Sequence, residues 1–560
     1  MNKKLALVIG SAVFFSNCHK TGNSNNSIST PNTQHISVVT QHNDNTRAGL
    51  NNQELKLTTT NVNASQFGKL FSLAVDDQVY AQPLILGNLS IGSGNHNVVF
   101  VASVNNSVYA FDADNGNAYW KKNYTPAGQR PPNSGDMSSN WCTPYADFYY
   151  NIGIVGTPVI DTTTLTMYFV ARSTDGSNFF EYLHAVNITD GSEKTGSPVA
   201  ISASVTGTGD GNVNGLVSFD PRRNNQRQGL ALVNGVVYIS FSSHCDWNPY
   251  HGWILGYNAQ NLQQLTVYND TPSGENGGIW ESGQGVAADA QGNLFVVTGN
   301  GTVGQGNLFT GTGNGTSENT PNPNPADPSN RSESALKLTP SGTTLQMNSF
   351  FTPTNYLNLN INDLDYGVMG TMLIPNSNFY LTGCKDGNLY LLDKDNMGGY
   401  SNSSNQVQQT IPLNVSLHCQ PSYFKGSVNE FVYVWSENDA LRALPFDRST
   451  NTFSNSQIVS TVNGPTGGCG ADLSVSSNGS ADGTGILWAT YAVSGDAGHD
   501  NSPGVLRAFD ANDITKELWN SNLSANDHVG IYAKFSSPTV ANGHVYLATF
   551  SNQVIVYGLK

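Results

Sequence analysis

The sequence predicts an all-β protein, an eight-bladed β-propeller built from four-stranded antiparallel sheets, with an N-terminal strand that completes the last blade. Three observations lead to this fold class. The composition is typical of turn-rich β-structure, one strand pattern recurs eight times, and the last copy of that pattern lacks its fourth strand.

The composition favours strands and turns over helices. Only 12% of the 560 residues are charged, whereas Gly occurs 57 times and Tyr and Phe 24 times each. Glycine supplies tight turns, and aromatic residues are enriched in strands. The charged residues are sparse and the net charge is -15, so the surface repels phosphate groups and anionic lipids. This argues against binding of nucleic acid and against electrostatic binding to membranes.

Residues 1–18 are predicted to be a signal peptide, since two lysines precede an apolar segment too short to span a membrane. The segment ends in a lipobox-like sequence at Cys18, where we expect cleavage and lipid attachment. Residues 19–36, rich in Ser, Asn and Thr, are expected to form a flexible tether. We therefore expect an exported monomer in the periplasm or at the cell surface, an outer-membrane lipoprotein that touches the membrane only through its anchor.

A repeated unit indicates the propeller over residues 37–560. Each copy has an apolar strand, a polar turn, a second strand that often ends in Asp, a further turn and a third strand. A short strand with small residues precedes each copy. Such a sheet cannot bury both of its faces alone, and radial stacking solves this problem. The copies begin at Val98, Met167, Val237, Leu294, Phe379, Val432, Ile486 and Val545.

The two ends of the chain are predicted to close the ring together. The eighth copy stops without an outer strand, whereas residues 67–75, FGKLFSLAV, form an isolated strand before the first copy. Pairing between them would cover two open sheet edges.

Five cysteines remain after the amino-terminal segment, an odd number for an oxidising compartment. Cys142 and Cys245 lie in long polar loops and are the predicted disulfide pair. Cys419 and Cys469, near the starts of comparable strands, form a weaker second prediction. Cys384 is expected to be a buried free thiol.

One face of the propeller should carry the functional residues. The loops that enter the innermost strands and the turns between second and third strands share this face. It should gather scattered histidines beside Asp246, Asp365, Asp496 and Tyr532 into a His/Asp/aromatic surface. We expect this surface to bind a small molecule, a glycan or a protein. The five histidines are His244, His251, His418, His499 and His528.

Alternatives stay open for these residues. Loop histidines often only brace the backbone, and tryptophans such as Trp280 often only pack between blades. If the histidines bind a metal ion, His244, His251 and His418 are the candidate ligands, although their spacing matches no sequence-local zinc motif.

The repeats VYAFDADNGNAYW, LYLLDKDN and VLRAFDAND resemble those of quinoprotein alcohol dehydrogenase-like propellers, which bind pyrroloquinoline quinone (PQQ). The resemblance covers about residues 40–560 and extends to a bacterial secreted subgroup of PQQ-like repeat proteins without an assigned activity. It implies, as the alternative to simple ligand binding, a PQQ- and calcium-dependent dehydrogenase that oxidises an alcohol or a sugar.

PQQ chemistry gives some candidates distinct roles. Trp280 could stack on the planar ring, Arg222 or Arg227 could bind its carboxylates, and Asp365 or Asp246 could act as the base or as an ion ligand. The sequence departs from the family dehydrogenases because it has no adjacent cysteines and no repeated tryptophan docking motif. It also has no CxxCH haem-attachment sequence. Ligand binding without chemistry is therefore the first interpretation.

Overall fold

The computed structural model describes residues 35–137, 143–304, 324–464 and 467–560. The predicted signal peptide, the lipid attachment site at Cys18 and the tether up to Gln34 lie outside the described residues, as does Cys142. No helix of the described parts is long and apolar enough to cross a membrane.

Eight four-stranded antiparallel sheets, blades 1 to 8 in chain order, confirm the predicted fold. Within each blade the first strand is innermost. Blades 1 to 4 comprise Leu84–Ile91, Gly94–Ala102, Ser107–Asp112 and Ala118–Asn123; Val159–Asp161, Thr166–Thr174, Phe179–Asn187 and Val199–Ala200; Ala231–Val233, Val236–Ser243, Trp253–Asn258 and Gln264–Asn269; and Ala287–Ala288, Leu294–Val297, Ala335–Ser341 and Thr344–Phe351. Blades 5 to 8 comprise Thr371–Leu373, Phe379–Gly383, Asn388–Asp393 and Gln409–Pro412; Ser422–Lys425, Glu430–Val434, Ala440–Asp447 and Ile458–Asn463; Asp472–Ser476, Ile486–Ala492, Gly504–Asp510 and Asp513–Asn520; and Thr539–Ala541, His544–Ala548, Gln553–Leu559 and Phe67–Ala74.

The remaining elements are short. One α-helix, Tyr356–Ile361, lies on the connection that enters blade 5. The other described elements are strands Leu50–Asn51, Ser204–Thr206, Leu216–Ser218, Asn224–Asn225 and Thr452–Phe453, and 3-10 turns Glu281–Gly283, Ser521–Leu523 and Ala525–Asp527.

The core lies between adjacent blades. Because each blade is covered on both faces, most of its middle strands contain long runs of buried residues rather than a strict alternation. All nine residues of Thr166–Thr174 are buried. One apolar cluster joins Phe100 of blade 1 to Phe169 of blade 2, and another joins Val99 of blade 1 to Tyr546 of blade 8.

The predicted closure of the ring is confirmed. Phe67–Ala74 pairs antiparallel with Gln553–Leu559, in a register that sets Phe67 opposite Leu559. The buried Phe67 ring also reaches blade 7, where its centroid lies 5.4 Å from Trp488 and 5.0 Å from Trp519.

A second closure, which the sequence did not reveal, involves residues 36–51, here named the girdle. The girdle runs around the inside of the ring and hydrogen-bonds the first strand of every blade or the residues beside it. From blade 1 to blade 8 these bonds, 2.7–3.3 Å long, join Val38 to Ile85, Val39 to Ile160, Thr40 to Leu230, Asn45 to Ala288, Thr46 to Leu373, Ala48 to Tyr423, Gly49 to Val475 and Asn51 to Val540.

Arg47 anchors the girdle in the channel. Its fully buried guanidinium donates to the carbonyl oxygens of Gln41 at 2.8 Å and Val286 at 3.0 Å, and to the Thr40 hydroxyl at 2.9 Å. Burial lowers the pKa of Arg47 to about 10, so the group stays charged at neutral pH. The girdle is equally tight at Gly49, where φ is +65° and a Cβ would lie 2.5 Å from the Ser422 hydroxyl.

The cysteine predictions have mixed outcomes. Cys384 is free and buried, as expected. The weaker prediction of a Cys419–Cys469 disulfide is wrong, since both thiols are free: Cys419 Sγ lies 3.8 Å from the Ser436 hydroxyl, and Cys469 lines a cavity. The pairing of Cys245 with Cys142 stays a prediction.

Candidate functional site

A cavity of about 620 Å³, here named the mouth cavity, opens on the predicted face of the propeller. Its walls are the loops that enter the innermost strands and the turns between second and third strands. It therefore draws residues from loops far apart in sequence. Its charged and aromatic lining consists of Tyr80, Asp147, Phe148, Arg227, Asp246, Trp280, Asp365, Lys385, His418, Glu437, Asp496, His499, Lys534 and Phe535.

An ion pair between Asp365 and Lys385 lies on the blade 5 side of the cavity. Lys385 Nζ is 2.6 Å from Asp365 Oδ2, and the other carboxylate oxygen accepts a hydrogen bond from the Asn300 backbone at 3.0 Å. Burial alone would lower the pKa of Lys385, but the carboxylates of Asp365 and Asp363 outweigh it and raise that pKa. The pair therefore offers the cavity a carboxylate beside a fixed ammonium group.

Arg227 is held between two aromatic rings at the cavity wall. Its guanidinium carbon lies 5.3 Å from the Trp280 ring centroid and 4.7 Å from that of Phe535, and its Nε donates to the Trp280 carbonyl at 3.1 Å. Such cation–π contacts fix a cation without neutralising it. Immediately after Trp280 the backbone adopts a strained left-handed conformation at Glu281 and Ser282, with φ of 45° and 44°.

Asp246 is a carboxyl group that titrates near neutrality. Burial, followed by repulsion from Asp365, raises the pKa of Asp246 to about 7. Its Oδ1 accepts a hydrogen bond from the Tyr250 hydroxyl at 2.7 Å. A group with this pKa can exchange protons with a bound ligand at physiological pH.

Two of the five predicted histidines line the cavity. His499 Nδ1 lies 2.7 Å from Asp496 Oδ2, and its Nε2 lies 3.5 Å from Asp147 Oδ1. His418 Nδ1 is 3.4 Å from Glu437 Oε1. Both imidazoles thus reach the cavity paired with carboxylates, which keeps them oriented.

The structure does not bring the other three histidines to the cavity. His244 is buried between the Tyr145 hydroxyl and the Arg172 guanidinium, and burial lowers its pKa. His251 braces its loop through Thr271 Oγ1 at 2.9 Å and the Asp210 carbonyl at 3.0 Å. His528 is exposed and is not part of the lining.

Two further candidates have bracing contacts elsewhere. The Tyr532 hydroxyl donates to Asp472 Oδ2 at 2.6 Å within the blade 7 and 8 junction. The Arg222 guanidinium lies over Phe179 and Trp247, with centroid distances of 4.9 and 4.7 Å. Of the two arginine candidates, therefore, only Arg227 faces the cavity.

The candidate metal ligands His244, His251 and His418 do not meet. In the part of the chain that the structure describes, no three His, Cys, Asp or Glu side chains form a group that could hold a metal ion. Both ring nitrogens of His244 and of His251 already have protein partners.

Sequence reasoning missed several lining residues, above all Lys385, Lys534 and Glu437. Lys385 and Glu437 occupy short turns, and Lys534 lies just after the blade 8 entry that carries His528 and Tyr532. Applied to every such turn and entry, the topological rule would have found them.

Comparison with solved structures supports the fold. The chain is similar to the quinohemoprotein alcohol dehydrogenase from Comamonas testosteroni, with a TM-score of 0.57 and 12% identity over 93% of this chain and 80% of that one. It is also similar to a quinohemoprotein alcohol dehydrogenase from Pseudomonas putida HK5, with a TM-score of 0.56 and 11% identity over the same shares.

No family model matches the chain, and no curated protein matches it. The chain has the fold of the quinoprotein alcohol dehydrogenase-like propellers, as its repeats predict.

Proposed function

We propose that the mouth cavity binds a small polyhydroxylated molecule, a sugar or a polyol. The observation that carries this proposal is the meeting of five carboxylates and four aromatic rings in one cavity of about 620 Å³. Ionised carboxylates only accept hydrogen bonds, which suits the hydroxyl groups of such a ligand. Aromatic faces pack against its C–H surfaces.

The size of the cavity favours a small molecule over a protein partner. Small-molecule sites commonly enclose about 300–1,000 Å³, and they combine apolar walls with a few fixed polar groups. Arg227 between its two rings and the Asp365–Lys385 pair are such fixed groups.

Calorimetric titration with glucose, galactose, mannose and glycerol tests this proposal. We expect saturable binding of at least one of them, weakened by about tenfold or more in Asp246→Asn and Asp365→Asn, because hydrogen bonds to charged groups contribute about 1.5–3 kcal/mol. Asp447→Asn, at the exposed end of a blade 6 strand and outside the cavity lining, is the matched control. Thermal unfolding of each variant separates lost binding from lost folding. Equal affinities of all three variants would refute the proposal.

A second candidate function, oxidation of an alcohol or sugar with PQQ, is favoured by the placement of Asp365, Lys385, Trp280 and Arg227 in the same cavity. Trp280 and Arg227 offer an aromatic face and a cation, which fit a planar tricarboxylate. PQQ, when bound, would supply the two-electron acceptor. Asp365, ion-paired with Lys385, would accept the hydroxyl proton of the substrate.

Calcium fits less well, because no three His, Cys, Asp or Glu side chains of the described residues form a group that could hold a metal ion. We therefore assign no step to calcium. Titration with PQQ, with and without calcium, followed by dye-linked oxidation of sugars and alcohols, separates the two functions. Binding of a sugar without a PQQ-dependent spectral change would leave the binding function alone.

We further propose, from the sequence alone, that the protein is an exported monomer attached to the outer membrane through lipid on Cys18. Metabolic labelling with a radioactive fatty acid should mark the wild type and not Cys18→Ala. Unlabelled wild-type protein would refute lipid attachment and leave export to be tested by fractionation.

A further inference from the structure

A second cavity, of about 480 Å³, lies on the same face as the mouth cavity, beside blades 8 and 1. We name it the tyrosine groove. It is formed by the chain that enters blade 1, the connection from blade 1 to blade 2, and a turn of blade 8. Its lining residues are Asp76, Asp77, Asn133, Ser134, Tyr149, Tyr150, Asn151 and Asn552.

The two tyrosines are unusual for this protein. Tyr149 is 55% exposed and Tyr150 57% exposed, and among the described residues no other Phe, Tyr or Trp is exposed to this extent. Their rings stand perpendicular, at 88°, with centroids 4.5 Å apart. Contiguous exposed apolar groups rimmed by polar residues mark interaction sites, and tyrosine is enriched among the residues that contribute most to binding.

The polar lining of the groove is acidic or neutral, with no Lys or Arg among its residues. Asp76 is already occupied by the hydroxyl groups of Ser103 and Ser107 and by Lys121. Within the described residues, Asp77 accepts hydrogen bonds from the Gln78 backbone and from Asn151 Nδ2, each at 2.8 Å. A carboxylate has about four acceptor positions, so Asp77 can accept further hydrogen bonds from a ligand.

The groove and the mouth cavity share one wall. Asp147 and Phe148 line the mouth cavity, and the next three residues, Tyr149 to Asn151, line the groove. An extended molecule that crosses this short segment would therefore contact both cavities. Acceptor carboxylates lie on both sides of the wall, with aromatic rings lining the mouth cavity and the exposed Tyr149 and Tyr150 in the groove. This combination suits a neutral chain of sugar units.

We infer that the tyrosine groove is a second carbohydrate subsite and that the natural ligand is a neutral oligosaccharide, with one end in the mouth cavity and further units on Tyr149 and Tyr150. This inference rests on the proposed function of the mouth cavity. It adds the class of ligand and a separate site for part of it.

Calorimetric titration of the full-length protein with glucose, xylose, mannose and galactose and with their linear tetrasaccharides tests the inference. For at least one sugar, we expect the tetrasaccharide to bind at least about tenfold more tightly than the monosaccharide. The double variant Tyr149→Ala/Tyr150→Ala should lose about tenfold in tetrasaccharide affinity, as expected for two aromatic contacts, and keep the monosaccharide affinity.

The control is Leu523→Ala, a side chain that is also 57% exposed on a connection between two blades but lies outside the groove. It should change neither affinity. A second variant, Asp77→Asn, should weaken tetrasaccharide binding alone.

The outcomes distinguish the two proposals. If monosaccharides bind and depend on Asp365 but chain length and the tyrosines have no effect, the groove inference fails and the proposed function stands. If no saccharide binds to the wild type, both fail. Competition for the groove by an uncharged peptide, without saccharide binding, would also overturn the inference.

Discussion

The closure of the ring by the strand Phe67–Ala74 can be tested at one residue, Phe67. This side chain belongs to the strand that joins the two ends of the chain, and its buried ring contacts Trp488 and Trp519 of the neighbouring blade. Phe67→Ala removes a buried ring from between two blades. Truncations of this kind destabilise by about 3–5 kcal/mol, and each aromatic pair adds about 0.5–1.5 kcal/mol to its burial.

Urea unfolding, followed by circular dichroism and tryptophan fluorescence, measures the effect of Phe67→Ala. We expect the free energy of unfolding to fall by about 4 kcal/mol. Hydrogen exchange should accelerate first in Gln553–Leu559, the strand that pairs with Phe67–Ala74. Leu70→Ala, on the same strand and 36% exposed, is the control and should stay within about 0.5 kcal/mol of the wild type. Equal effects of the two substitutions would refute the conclusion that the buried Phe67 ring stabilises the closure of the propeller.

Three further predictions concern buried charged groups. Arg47→Met leaves several carbonyl oxygens of the channel without a donor and should lower the free energy of unfolding by about 3 kcal/mol; a change below about 0.5 kcal/mol in urea unfolding would contradict it. Burial raises the pKa of Asp472 from 3.8 to about 7, so between these two pH values only the folded state binds this proton. The free energy of unfolding should therefore fall as the pH rises from 3.8 to about 7, by at most about 4 kcal/mol. Asp472→Asn should remove this pH dependence from thermal unfolding. Because the pKa of Asp246 is about 7, sugar affinity should fall as the pH drops below 7, and Asp246→Asn should flatten the profile; an unchanged profile would exclude this role.

The fold could be predicted because the same local pattern occurs in every blade. Eight copies of one pattern of strands and turns constrain the architecture far more than any single strand does. The girdle could not be predicted in this way. Each of its residues meets a different blade, largely through backbone hydrogen bonds, so residues 36–51 show neither a period nor a characteristic side-chain pattern.

The site could be predicted only as far as the face on which it lies. Asp246, Asp365 and His418 lie on the face where topology places them, but topology does not show which side chains of a loop point inward. His244 and Asp246 are two residues apart, and the backbone turns through the left-handed region at Cys245 and Asp246, with φ of 54° and 47°. As a result Asp246 lines the cavity, whereas His244 is directed into a buried contact with Arg172.

The girdle and the mouth cavity are physically connected through Gln420. Gln41 of the girdle donates to the fully buried side chain of Gln420 at 2.8 Å, and Gln420 donates in turn to the backbone carbonyl of Phe535 at 3.3 Å. Phe535 is one of the two rings that hold Arg227. A buried amide with all of these bonds has little freedom to move. The girdle therefore also fixes the position of the Arg227 guanidinium in the cavity wall. The stability of the ring and the geometry of the site therefore depend on the same hydrogen bonds.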